Sequence, residues 1–195
     1  MEQVLYRKYR PQNFADVVGQ DHIVRILSNA LKQNRIAHAY LFSGPRGTGK
    51  TSIARIFARA VNCEKGGCNQ CGICDEFVSG RALDLVEMDA ASNRGVDEVR
   101  AIREAAQLMP LKAKYKVYIL DEAHMLTREA WNALLKIIEE PPAHVIFILA
   151  TTEAEKIPET ILSRTQHLRF RLVDERALAK AIIAVAEKER LSVDG

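Results

Sequence analysis

No apolar run in this 195-residue sequence approaches the roughly 20 residues that a membrane-crossing helix needs. The N-terminus, Met1-Glu-Gln-Val-Leu-Tyr-Arg-Lys-Tyr-Arg10, carries charge with no apolar core behind it, so it does not read as a secretory leader. Both absences point to the cytosol and away from membranes. No internal repeat and no low-complexity tract is present, which excludes repeat architectures. Charge of one sign is also scarce. The 28 Lys and Arg against 25 Asp and Glu leave +3, too little to imply a nucleic-acid partner without a local patch. Cysteine is missing except for four residues between Cys63 and Cys74. What is plentiful is apolar side chain, 48% of the whole, which suffices for a sizeable core. The length suits one α/β domain with a small appendage.

Strand-length apolar segments recur with helical patterns between them. Ala39–Ser43 is one, and Leu83–Met88 alternates. Val117–Leu120 and Val145–Ala150 are wholly apolar, as buried parallel strands are. Leu168–Leu172 alternates and reads as an edge strand. Ile53, Ile56, Phe57, Ala60 and Val61 share one helical face, as do Trp131, Leu134, Leu135 and Ile138. Thr127 can cap the second of these helices, and Pro141-Pro142 ends it. Val96, Val99, Ile102 and Arg103 suggest a third, starting near Ser92 or Asn93. The alternation implies a parallel sheet covered on both faces. A boundary is expected near Leu172–Asp174, followed by a helix over Glu175–Arg190.

Gly44-Pro45-Arg46-Gly47-Thr48-Gly49-Lys50-Thr51 satisfies the phosphate-loop pattern in full, with a strand before it and an amphipathic helix after it. Glycines let the backbone curl so that its N–H groups face phosphate oxygens, and the helix start adds its positive dipole end. Lys50 would neutralise the β- and γ-phosphates, and the Thr51 hydroxyl would ligate Mg²⁺. The Val117–Leu120 strand runs into Asp121-Glu122. Asp121 would hold the magnesium through water, and Glu122 would orient and polarise the attacking water. Asp121-Glu122-Ala123-His124 also spells a helicase DEAH box. Such helicases need two tandem motor domains, for which this chain is too short.

The cysteines, Cys63, Cys68, Cys71 and Cys74, form two C-x2-C steps that share Cys71, with glycines at 66, 67 and 72 for tight turns. Clustered thiolates in a reducing compartment suggest a metal rather than disulfides. Zinc fits best, in a closed structural site with no open position for substrate. An iron–sulfur cluster or free thiols are the alternatives, although the Cys-Pro of bacterial ferredoxin runs is missing.

These segments together resemble the AAA+ ATPases of bacterial clamp loaders, the gamma/tau family of DNA polymerase III, over essentially the whole chain. Leu5-Tyr-Arg-Lys-Tyr-Arg-Pro-Gln-Asn-Phe14 and Asp16-Val-Val-Gly-Gln20 are similar to the family's N-terminal signature. The match continues through the phosphate loop, the cysteines, Asp89–Ser92, Asn132–Lys136, Glu139–Pro142, Ala150–Thr152 and Leu162-Ser-Arg164. The resemblance implies an α/β AAA+ domain over 1–172, a five-stranded parallel sheet with an inserted Cys₄ zinc module, and over 173–195 the start of a helical lid.

It further implies that the N-terminal segment wraps the adenine, making Tyr9, Arg10, Pro11, Val17 and Val18 candidate base-pocket residues. Thr152 matches the sensor that bonds the γ-phosphate or the lytic water. Arg164 matches the arginine that reaches the ATP of a neighbouring subunit. Position 165 is Thr where the motif has Cys, a departure that leaves the arginine's charge in place. The lid's own sensor arginine would lie past Gly195, so low activity is expected of this stretch alone. Asn93-Arg94-Gly95 and Arg100 stand where family members track duplex phosphates. The implied partners are delta, delta-prime and further gamma/tau copies, the sliding clamp and primed duplex DNA. The implied cofactors are ATP, Mg²⁺ and structural Zn²⁺. Two rivals stay open: a non-hydrolysing, delta-prime-like subunit, and another AAA+ motor such as a Holliday-junction helicase. Intact Lys50, Thr51, Asp121 and Glu122 speak against the first, and the cysteines against the second.

Overall fold

The computed structural model describes residues 4–191. Met1–Gln3 and Ser192–Gly195, the outer ends of the two expected domain spans, lie outside the described residues. Five strands, β1 (Ala39–Ser43), β2 (Leu85–Asp89), β3 (Lys116–Asp121), β4 (Val145–Thr151) and β5 (Gln166–Arg169), form one sheet in the order β2-β3-β4-β1-β5. Every pairing is parallel. The period-2 geometry of strands explains how the sheet is covered. Tyr40, Phe42, Val117, Ile119, Ile146 and Ile148 point to one side, against α2 (Asp21–Lys32) and α3 (Lys50–Asn62). Ala39, Leu41, Tyr118, Leu120, Phe147 and Leu149 point to the other, against α5 (Val96–Ala106) and α6 (Arg128–Glu139). β1 and β4 are buried along their whole length, which accounts for their unbroken apolar sequences.

Short helices complete the chain: α1 (Leu5–Lys8), α4 (Gly72–Val78) and α7 (Glu159–Leu162). The last, α8 (Glu175–Glu189), is capped by Asp174, whose carboxylate accepts from Ala177 N–H at 2.9 Å. No helix among the described residues is long and apolar enough to cross a membrane.

Several boundaries differ from the sequence expectation for local reasons. α6 begins as expected, with Thr127 Oγ1 accepting from Ala130 N–H at 3.2 Å, and ends before Pro141. α5 starts at Val96, not at Ser92 or Asn93. The Asn93 amide and side chain both donate back to Asp89 O, at 2.9 and 3.1 Å, and close a turn there instead. β2 starts at Leu85 because the Asp84 carboxylate is taken up by the amides of Leu111, Lys112 and Ala113. β5 is an edge strand but stops at Arg169. Arg171 N–H donates to Gln20 Oε1 at 3.2 Å, which draws the chain off the sheet. Gly72 serves as the first residue of α4 rather than as a turn.

Candidate active site

The carboxyl ends of β1, β3 and β4 lie side by side, and each passes into a loop bearing polar side chains. Parallel α/β sheets bind ligands at this edge. β1 leads into Gly44, where an added Cβ would sit 2.5 Å from Phe170 O, so only glycine lets β1 leave this close to the end of β5. Gly47 and Gly49 have φ of +77° and +91°, a region open to glycine at little cost. Gly49 stands just ahead of α3, with no side-chain cap on the helix start. The N–H groups of Gly47, Gly49, Lys50 and Thr51 have no chain acceptor among the described residues. Unpaired amides along a glycine turn and helix start are the donors from which anion cradles are built. Pro45 and Arg46 are exposed on its rim, and the Thr48 hydroxyl braces the loop by donating to Pro45 O at 2.8 Å.

Lys50 is buried, and its ammonium donates to Gly44 O at 2.8 Å and Pro45 O at 2.9 Å. Burial lowers its pKa, while the carboxylates of Glu122 and Asp121 push it back up. The Thr51 hydroxyl donates to Asp121 Oδ2 at 2.7 Å, which joins the loop to the end of β3. A hydroxyl and a carboxylate in contact offer the hard oxygen donors that Mg²⁺ prefers.

Glu122 follows with φ 47° and ψ 43°, a left-handed conformation that costs a side-chain-bearing residue about 1–2 kcal/mol. Its N–H donates to Asp121 Oδ1 at 3.0 Å, and its Oε2 accepts from Thr152 Oγ1 at 3.2 Å. His124 Nδ1 lies 3.5 Å from the same carboxylate and 3.0 Å from Thr151 Oγ1. His124 Nε2 faces Glu153 at 3.0 Å. The structure therefore brings together Lys50, Thr51, Asp121, Glu122 and Thr152. It adds His124, which the sequence hides inside a DEAH-like tetrapeptide, and Gln20. Fully buried, Gln20 donates to Thr48 O at 3.3 Å and to Arg171 O at 2.6 Å, tying the loop to the segment after β5.

Other expected residues are more dispersed. Arg164 is exposed, 2.9 Å from Glu139 Oε1 and 2.9 Å from Thr160 O. Arg10 and Pro11 line a cavity of about 670 Å³ with Gln12, Ser52, Arg55 and Arg59. Tyr9 lies with Lys8 and Glu189. Val17 packs on the Ile23–Ile53 side of the core, and Val18 is 40% exposed. The cavity at Arg10 and Pro11 is thus not lined by Tyr9, Val17 or Val18. Arg100 pairs with Asp97 at 3.0 Å, and Arg94 uses its carbonyl to accept from Thr127 N–H.

The four cysteines are gathered, with all Sγ atoms within 4.8 Å of one another and none in a disulfide. The Sγ···Sγ separations are 3.6 Å for Cys63–Cys68, 3.9 Å for Cys63–Cys71 and 4.0 Å for Cys68–Cys74. Four thiolates about 2.3 Å from one tetrahedral ion stand roughly 3.8 Å apart. The donor set therefore fits a single ion, and an iron–sulfur cube, with its own atoms between the thiolates, needs a wider cage. Burial alone would raise the Cys63 pKa, but backbone N–H groups led by that of Cys68 bring it down to about 6. A cavity of about 940 Å³ lies beside this loop and includes none of the phosphate loop in its lining.

A family described as DNA polymerase III, delta subunit, matches residues 19–174. Over 98% of its length the chain is 54% identical to DNA polymerase III subunit tau of Bacillus subtilis. The chain belongs to the gamma/tau family of DNA polymerase III subunits. A gamma/tau subunit from Mycobacterium tuberculosis is likewise 54% identical over 97% of the chain. The chain spans about a third of these relatives, 35% and 34% of their lengths. Among solved structures, a DNA polymerase III gamma subunit-related protein from Thermotoga maritima superposes with a TM-score of 0.56 at 22% identity, covering 83% of this chain and 53% of that one. The RuvB Holliday junction branch migration motor of the same organism gives a TM-score of 0.67 at 19% identity, covering 95% of this chain and 56% of that one. At such identities these two establish the fold alone, a parallel sheet with helices on both faces.

Proposed function

We propose that this chain is the ATPase module of a clamp-loader subunit, which binds and hydrolyses ATP to open a sliding clamp and load it onto primed duplex DNA. The contact of Thr51 with Asp121, beside Lys50 and Glu122 and under a row of unclaimed amides, carries this reading. The loop amides and Lys50 would hold the triphosphate. Thr51 and Asp121 would hold Mg²⁺, which neutralises charge on the β- and γ-phosphates. Glu122, kept in place by Thr152, would orient the attacking water and draw off its proton. Arg164 would leave Glu139 for the nucleotide of a neighbouring subunit and stabilise charge on the transferring phosphate. Arg10 and Pro11, with Tyr9, Val17 and Val18 rearranged around them, would meet the base. The cysteines would hold a structural zinc. Arg94 and Arg100 would touch DNA phosphates without reading bases.

The partners would be delta, delta-prime, further gamma/tau copies, the clamp and DNA, in the cytoplasm. We also propose that the AAA+ domain covers 1–172 and that 173–195 begins the lid. A delta-prime-like, non-hydrolysing subunit is the rival, and the complete set of phosphate-loop and strand-end groups disfavours it. The test is calorimetric titration of the chain, extended through the lid, with Mg·ATP. Binding by the natural sequence and its loss in Lys50→Ala are expected. Unchanged affinity in Lys50→Ala removes the lysine from the phosphate site, and no binding by the natural sequence favours the rival.

A further inference from the structure

We propose that Arg59 is the charge partner of the metal-bound cysteine centre, and that through it the cysteine loop holds the N-terminal segment in place beside the nucleotide site. This rests on the reading of the cysteines as a metal site. Arg59, on α3, is only 4% exposed, and among the described residues no carboxylate stands within ion-pair contact of it, so the buried guanidinium demands an explanation. Its Nη2 donates to the carbonyl of Gln12, and its Nε is buried with no hydrogen-bond partner. A Cβ on Gly67 would lie 3.9 Å from that Nε, so the turn inside the cysteine loop covers the guanidinium. The charge is within electrostatic reach of Cys74, Cys63 and Cys68, and less strongly of the Asp16 carboxylate.

A divalent ion with four thiolates has a net charge of −2, and its partly buried position calls for a nearby cation. Arg59 supplies that charge and uses Nη2 on the segment at Gln12. A second tie runs in parallel. Asn69, between Cys68 and Cys71, donates to Asn13 Oδ1 at 2.6 Å. The segment so anchored continues back through Pro11 and Arg10, which line the cavity shared with Ser52, Arg55 and Arg59. Loss of the metal would leave Arg59 without its counter-charge and loosen both ties.

The test uses the full-length subunit, with zinc affinity measured by competition against a chromophoric chelator and amide hydrogen exchange followed over residues 9–16. Arg59→Met should weaken zinc binding by about 10–100-fold, the usual effect of removing an outer-shell partner, and should speed exchange over 9–16. Stripping zinc from the natural protein should speed exchange over the same residues. Asn69→Gly removes the parallel tie and keeps the left-handed backbone of Asn69 (φ 57°) free of strain, so it should speed that exchange while weakening zinc binding less than Arg59→Met does. Zinc affinity unchanged in Arg59→Met, or protection of 9–16 indifferent to stripping, overturns the proposal while the metal site stands. Failure of the natural protein to bind zinc overturns the metal reading and this inference together. If Arg59→Met does not fold, stripping and Asn69→Gly decide alone.

Discussion

Asp84 is the side chain whose removal the structure values most clearly. It is 3% exposed, and its two oxygens accept three main-chain amides: Leu111 at 2.8 Å on Oδ1, and Lys112 and Ala113 at 2.9 Å on Oδ2. These bonds fix the loop that leads into β3, at whose far end stand Asp121 and Glu122. Hydrogen bonds to a charged group contribute about 1.5–3 kcal/mol each, so three set a ceiling near 4.5–9 kcal/mol. Leu111 and Lys112 are exposed, so their freed amides can turn to water, and we expect Asp84→Ala to cost about 3–4 kcal/mol. For a chain of this size that lowers Tm by roughly 10 °C. Asp84→Asn keeps one acceptor for Lys112 and Ala113 but turns a donor toward Leu111, and should cost about half as much. The assay is thermal and urea unfolding followed by circular dichroism. Burial would raise the Asp84 pKa, but the three amides outweigh it and hold it below the usual carboxylate range. Its contribution is therefore complete above the unfolded-state value of about 3.9 and is lost as pH falls through the folded-state value. The Tm gap between natural protein and Asp84→Asn should be wide at neutral pH and shrink below about pH 4. A cost under about 1 kcal/mol for Asp84→Ala, or a gap indifferent to acid, refutes the reasoning.

Glu122→Gln should slow single-turnover hydrolysis in the assembled complex by about 10²–10⁴-fold, the usual worth of a general base, while a fluorescent ATP analogue still binds; equal loss of both places Glu122 in binding instead. Thr51→Val removes the hydroxyl that donates to Asp121 and should cut Mg·ATP affinity about tenfold, the worth of one such bond, leaving metal-free ADP binding unaltered. Gln20→Ala deletes three bonds to Thr48 and Arg171 main-chain groups and should cost about 2–3 kcal/mol in urea unfolding; a cost near zero means that water replaces the amide.

What could be read from the sequence divides by how far a residue's partners lie along the chain. Lys50 and Thr51 belong to an eight-residue pattern whose geometry is local, and Asp121 closes an apolar strand that announces itself. The cysteines were equally legible, because their spacing alone permits a tetrahedron. Thr152 and Arg164 could be singled out only through family resemblance, since a threonine after a strand and an arginine in the turn after a short helix say nothing by themselves. Asp84, Gln20 and Arg59 had no local signal. Each satisfies main-chain groups that folding alone brings near: Leu111–Ala113, Arg171 and Gln12. The misplaced starts of α5 and β2 have the same origin. Asn93 looked like a helix cap by composition, but Asp89 offered its groups a nearer acceptor.

The two halves of the candidate site are built with different degrees of freedom. Glu122 occupies a left-handed backbone that an unconstrained glutamate would abandon, yet its own N–H is bound to Asp121, its carboxylate to Thr152, and His124 stands against it. Two hydrogen bonds of about 0.5–1.5 kcal/mol each can offset the conformational cost of about 1–2 kcal/mol, so the acid's place is fixed without a ligand. Lys50 is the opposite case. Its ammonium spends two donors on the loop carbonyls of Gly44 and Pro45, neutral acceptors whose net worth is about 0.5–1.5 kcal/mol each. A phosphate oxygen in the same cradle offers a charge-assisted bond of roughly twice that strength and counters the burial that lowers the lysine's pKa. Exchange of carbonyl for phosphate is therefore downhill, and the amides beside it need release no partner. On the proposed reading, such a site would be rigid around the attacking water and yielding around the phosphates, and would reach hydrolysis geometry only through what binds on the lysine side.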